Sequence, residues 1–176
     1  WQVKVTGTAF FIYFNKIPED WWREATNGCI VTAYRPDKKE LNRTSLTIGG
    51  DQINYPHDCG TPTADLLTVK HLLKSTISTP GAKFMILDIE DFYLNTPLNR
   101  YEYLCIKLAD LPQDVIDHYN LHDKAKNGFV YVEVQRGMYG LPQSGLLAQE
   151  LLKKRLQKQC YKQRKIKHVF YATNTK

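Results

Sequence analysis

Asp88, Glu90 and Asp91 place three carboxylates within four positions, and the aromatic pair Phe92 and Tyr93 follows at once. Carboxylates this close repel one another unless a cation lies among them. Asp88 stands apart because of what precedes it. Lys83 to Ile89 reads K-F-M-I-L-D-I, a β-prone apolar run bounded by Pro80-Gly81 and by a polar turn, the pattern expected of a strand buried on both faces. Asp88 would then sit where a core strand runs out. An unpaired buried charge is costly, so such a carboxylate must reach solvent, find a cation or ligate a metal. Carboxylate oxygens suit Mg²⁺ (or Mn²⁺), which is commonly held by one or two carboxylates together with substrate phosphates. The plainer alternative is an aspartate capping the turn after a strand, with Glu90 and Asp91 facing water.

Two other groups have types and spacing of interest. Arg136 to Gly145 reads R-G-M-Y-G-L-P-Q-S-G. Gly137 and Gly140 there permit close backbone approach, and Pro142 and Gln143 lead into a helix whose N-terminus can face phosphate; a structural turn would need the same glycines. Arg35, Lys38, Lys39 and Arg43 decorate a charged turn, where they would either grip phosphate or simply be solvated. His118 and His122 are spaced i, i+4, yet no cysteine or further histidine lies close in sequence to complete a zinc set, which favours surface or capping roles. Cys29, Cys59, Cys105 and Cys160 include no C-x-x-C pair, which points to a reducing compartment rather than a disulfide framework.

The elements that must position these groups alternate. Gly28 to Arg35 and Thr44 to Ile48 read as two strands joined by the charged turn Pro36 to Arg43. A helix opens at Thr61-Pro62 with Leu66, Leu73 and Ile77 as its apolar stripe and ends near Pro80-Gly81. The strand ending at Asp88 follows, then a strand from Tyr101 to Leu108 and a short helix from Pro112 to Tyr119. Asn127-Gly128 turns into Phe129 to Val134, where three valines alternate with Phe129, Tyr131 and Glu133. Gln143 to Cys160 is an amphipathic helix with Ala148, Leu151, Leu152 and Leu156 inward and Lys153, Lys154 and Lys158 outward, its basic end suiting the helix dipole. The order implies an α+β fold.

The segment Ile86 to Leu98, I-L-D-I-E-D-F-Y-L-N-T-P-L, resembles motif A of reverse transcriptases, and Arg136 to Gly145 is similar to motif B in the Y-G-L-x-Q form of copia-type LTR retrotransposons. Tyr101 to Ile106 and Ile30 to Arg35 also resemble that pattern, so the likeness spans most of residues 28 to 160. It implies polymerase fingers and the first half of a palm over residues 1–160. Asp88 and the Ile89 carbonyl would ligate the metal. Tyr93 would act as a gate under the nucleotide sugar, the alternative being a core aromatic beside Phe92. Gly137, Gln143, Arg35 and Lys38 would bind nucleotide, and Lys39, Arg43, Gly140 and Pro142 the template. The implied partners are an RNA template, a DNA primer, deoxynucleoside triphosphates and the remainder of a polyprotein. The sequence departs from the family in two places. No aspartate follows Asp123 and no acidic residue follows Glu150, so the paired aspartates of motif C are absent and the chain reads as an inactive piece. Ser144-Gly145 replaces the Ala-Pro of many copia-type members.

The chain has 176 residues and a net charge of +6, enough for one cored domain. Nine of its 24 basic residues and none of its 18 acidic ones lie after position 152, leaving fifteen cations against eighteen carboxylates, a net −3, in the preceding body. The basic character therefore belongs to the end of the chain, and residues 161–176 read as a basic tail, disordered or drifted in reading frame. Ala9 to Phe14 is too short for a signal or membrane segment, so a cytoplasmic location without a membrane partner is expected. The rival reading is a non-catalytic nucleic-acid-binding remnant of a decayed element.

Overall fold

The computed structural model describes residues 7–37, 39, 41–61, 64–163 and 170–172. Its centre is a five-stranded sheet of β1 (Ala9–Ile12), β2 (Thr26–Tyr34), β3 (Asn42–Ile48), β4 (Pro97–Lys107) and β5 (Phe129–Arg136), ordered β1-β5-β4-β2-β3. All neighbours are antiparallel except β2 and β4, which run parallel through Thr26↔Leu104 and Asn27↔Cys105. The chain is thus α+β, with a mixed sheet. No helix among the described residues is long and apolar enough to cross a membrane.

The valine alternation does what its period demands. Val130, Val132 and Val134 are buried on one face of β5 and meet Ile106, Leu104 and Glu102 of β4 in register. Against that face pack α2 (Gln113–Tyr119) and α3 (Leu121–Lys124), through Val115, Ile116 and Leu121. Pro112 precedes the first of these as its N-cap, and Asn120 separates the two in the left-handed conformation with φ 49°. His118 and His122 therefore lie on different helices. The helix α4 (Ser144–Lys158) buries Ala148, keeps Leu151, Leu152 and Leu156 half-buried, and exposes Lys154 and Lys158.

Two expectations are corrected. Residues 82–89 form no strand: the stretch has no regular structure, and Phe84, Met85, Ile86 and Leu87 are 53%, 68%, 83% and 66% exposed. A strand buried on both faces needs neighbours, and residues 82–89 pair with none of the five strands of the sheet. Asp88 therefore does not end a core strand. The helix α1 (Leu66–Ser78) starts later than expected, capped by Asp65, whose Oδ1 accepts from the Thr68 amide at 2.7 Å; Pro62 lies outside the described residues. Its expected stripe has nothing to pack on: no residue of α1 is buried, and Leu66 and Ile77 are exposed. In the tail, β6 (Tyr161–Gln163) and β7 (Phe170–Ala172) pair antiparallel, and residues 164–169 and 173–176 lie outside the described residues.

Candidate functional site

The segments holding Tyr93 and the glycine loop come together. After Asp91, whose φ is 50°, the chain turns tightly: the Asn95 amide donates to the Asp91 carbonyl at 3.0 Å and the Thr96 amide to the Tyr93 carbonyl at 2.8 Å. The Gly137 amide then donates to the Thr96 carbonyl at 2.8 Å. A Cβ on Gly137 would stand 2.7 Å from the Tyr93 carbonyl oxygen, so no larger residue fits without moving backbone. Tyr93 is half-buried, its ring edge-on to Tyr139 at 5.1 Å and tilted against Phe92 at 5.7 Å. Its hydroxyl lies 4.0 Å from where a Cβ on Gly145 would be. Phe92 is half-buried as well, so neither aromatic is wholly a core residue.

The loop is clamped from the other side by the end of β3. The Ile48 amide donates to the Tyr139 carbonyl at 3.1 Å. Gly140 has φ 98°, and a Cβ there would fall on the Ile48 carbonyl. Ser144 closes the loop: its hydroxyl accepts from the Met138 amide at 3.0 Å and donates to the Met138 carbonyl at 2.9 Å. Pro142 is half-buried. These contacts make Gly137 and Gly140 obligatory on packing grounds.

Gln143 has a role its position in the loop did not suggest. It is fully buried, and its Nε2 donates to Glu102 Oε1 at 2.7 Å; the amide is turned into the core rather than toward a surface. Glu102, 1% exposed, also accepts from Arg100, Nε to Oε1 at 3.0 Å and Nη2 to Oε2 at 3.3 Å. The guanidinium lies 4.3 Å over Trp21 and donates to the Asn54 carbonyl at 3.3 Å. This network joins three separate segments to the start of α4. The sequence carried one signal for it, opposite charges at i, i+2 on one strand face.

Asp88 is exposed in the irregular stretch, and Ile89 is 42% exposed. Among the described residues no group of three or more His, Cys, Asp or Glu side chains could hold a metal. The donor set around Asp88 does not fit a resident Mg²⁺ by itself. Arg35 follows the end of β2 and is half-buried; Lys39 is exposed in the turn; Arg43 stands in β3 opposite Ala33; Lys38 lies outside the described residues. The sequence reading missed a cleft of about 440 Å³ between the 89–97 turn and α4, whose lining includes Ile89, Phe92, Thr96, Leu151, Arg136 and Arg155 and no carboxylate.

Elsewhere, burial pushes the Cys105 thiol and the Tyr103 and Tyr131 hydroxyls up from their ordinary values, with Glu133 adding to the effect on Tyr103. No family model, curated protein or solved structure matches the chain.

Proposed function

We propose that this chain is the fingers and first half of the palm of a copia-type reverse transcriptase, part of an RNA-directed DNA polymerase. One observation carries the reading: Tyr93 and the loop Gly137 to Gly145, picked out separately in sequence, are locked together by backbone contacts. An aromatic face beside a glycine-lined loop suits a flat nucleoside, and it can exclude a 2′-hydroxyl by bulk. Arg35, Lys39 and Arg43, on or beside the β2–β3 hairpin, supply cations for phosphate. A two-metal displacement needs ligands on both the attacking and the leaving oxygens. Asp88 supplies one carboxylate of that set, and the others are not among the described residues. No chemical step is assigned to this chain alone, and no primer extension is expected of it.

The test is fluorescence anisotropy of a labelled RNA template–DNA primer titrated with the chain, with and without the next deoxynucleoside triphosphate. The reading expects the matched nucleotide to tighten binding more than a mismatched one, and Tyr93→Val to let the matched ribonucleotide act equally. If matched and mismatched nucleotides act alike, the non-catalytic binding remnant replaces this reading.

A further inference from the structure

Residues 82–89 have a self-complementary sequence, and their backbone is free from residue 83 on, the Ala82 amide donating to the Thr79 carbonyl at 3.1 Å. Among the described residues no hydrogen bond engages the backbone of 83–90, and the apolar side chains of 84–87 face solvent. The segment has sharp ends: Pro80 has no amide hydrogen, Gly81 has φ 75°, and Asp91 has φ 50°. Unpaired apolar edges of this length recruit another strand.

The charges select which strand. We propose that residues 82–89 pair antiparallel with the same residues of a second copy, with Lys83 opposite Asp88. In that register Phe84 meets Leu87, Met85 meets Ile86, and Ala82 meets Ile89, so every apolar residue faces an apolar one and both charges are matched. Sliding by one residue sets Phe84 against Asp88 or Lys83 against Leu87. Parallel in-register pairing stacks Lys83 on Lys83 and Asp88 on Asp88, which is unfavourable.

The register also fixes the geometry. Directly opposed residues share a face, and side chains alternate along a strand. Positions 83 and 88 differ in parity, so the second copy presents its faces reversed and uses the opposite backbone edge. Such a contact is heterologous and leaves one edge open on each copy. The open edges let further copies add in the same register, so association is not limited to two copies.

The experiment is sedimentation velocity of the full chain at low salt, up to about 100 μM, on wild type, Lys83→Asp, Asp88→Lys and the double charge swap. All substituted positions are exposed, and circular dichroism checks that the body is intact. Reversible, concentration-dependent association is expected for wild type, with the dimer as its first step. Each single variant, which opposes like charges twice per dimer, should associate about tenfold more weakly, and the swap should restore wild-type association. A chain monomeric throughout, single variants that dimerise as wild type does, or a swap no better than the singles would each overturn the proposal. It does not rest on the polymerase reading: nucleotide sensing without dimerisation, or dimerisation without nucleotide sensing, separates the two.

Discussion

Replacing Arg100 by alanine should be among the most damaging single changes in this chain. The guanidinium makes two hydrogen bonds to a carboxylate that is almost wholly buried, at 3.0 and 3.3 Å. Breaking a buried pair from one side leaves an uncompensated charge and costs about 3–5 kcal/mol. The Arg100 side chain is 26% exposed and that of Glu102 2%, so water reaches one partner and the lower end applies, about 3 kcal/mol. Loss of the stack on Trp21 adds about 0.5–1 kcal/mol. Glu102→Gln is milder, because the arginine keeps its aromatic stack, the Asn54 carbonyl and Glu24 at 3.6 Å; about 1–2 kcal/mol is expected. The double variant should cost less than the sum of the two by about 2 kcal/mol, since the stranded charge is then gone. Urea unfolding followed by tryptophan fluorescence measures all three, with Trp21 as a reporter beneath the guanidinium. A cost below about 1 kcal/mol for Arg100→Ala, or strict additivity, would refute the reasoning.

Gly140→Ala combines a positive φ with a methyl group driven into the Ile48 carbonyl; a loss of about 3 kcal/mol is expected by urea unfolding, and a loss within 0.5 kcal/mol or so of zero would show that the loop yields. Burial raises the Cys105 thiol, so less thiolate is present at a given pH and its alkylation should reach half-maximal rate above the ordinary thiol value; mass-resolved labelling in which Cys105 reacts before the exposed Cys29 and Cys160 at about pH 8 would contradict this. Deleting residues 161–176 removes Lys162, Arg164, Lys165, Lys167 and Lys176 and should flatten the logarithmic salt dependence of binding to an RNA/DNA duplex by up to about four. Charge reversal at Lys38 and Lys39 should add to the loss, and equal slopes for full and shortened chains would remove the tail from nucleic-acid binding.

Where packing is periodic, the sequence shows it. Alternating valines place β5 and its buried face, the charged turn after Tyr34 lies between two paired strands, and the leucine spacing after Ser144 gives α4 its inner side. Periodicity does not reveal partners. Lys83 to Ile89 has the composition of a core strand, but β-propensity reports what a side chain does against neighbours, and among the described residues no strand pairs with it. The buried network was hidden for a different reason. A strand taken to begin at Tyr101 leaves Arg100 outside it, separates the two charges and hides their common face. Gln143 is joined to Glu102 across 41 positions, a distance over which no local pattern carries information.

The two halves of the candidate site therefore stand on different footings. Tyr93 and the glycine loop are held by backbone contacts that need nothing beyond the described body. Asp88 stands nine residues before Pro97, the first sheet residue after it, in a stretch whose backbone is unpaired. Ordering such a stretch costs about 1–2 kcal/mol per residue, which a metal bound to one carboxylate cannot offset. Pairing of residues 82–89 with another strand must come before metal binding, and the identity of that strand decides the outcome. A second copy in the proposed register sets Lys83 against Asp88 and occupies the carboxylate with an ammonium group, whereas a strand bringing further carboxylates would leave it free for a cation. Under the proposed register, metal binding at Asp88 would therefore compete with self-association for one carboxylate.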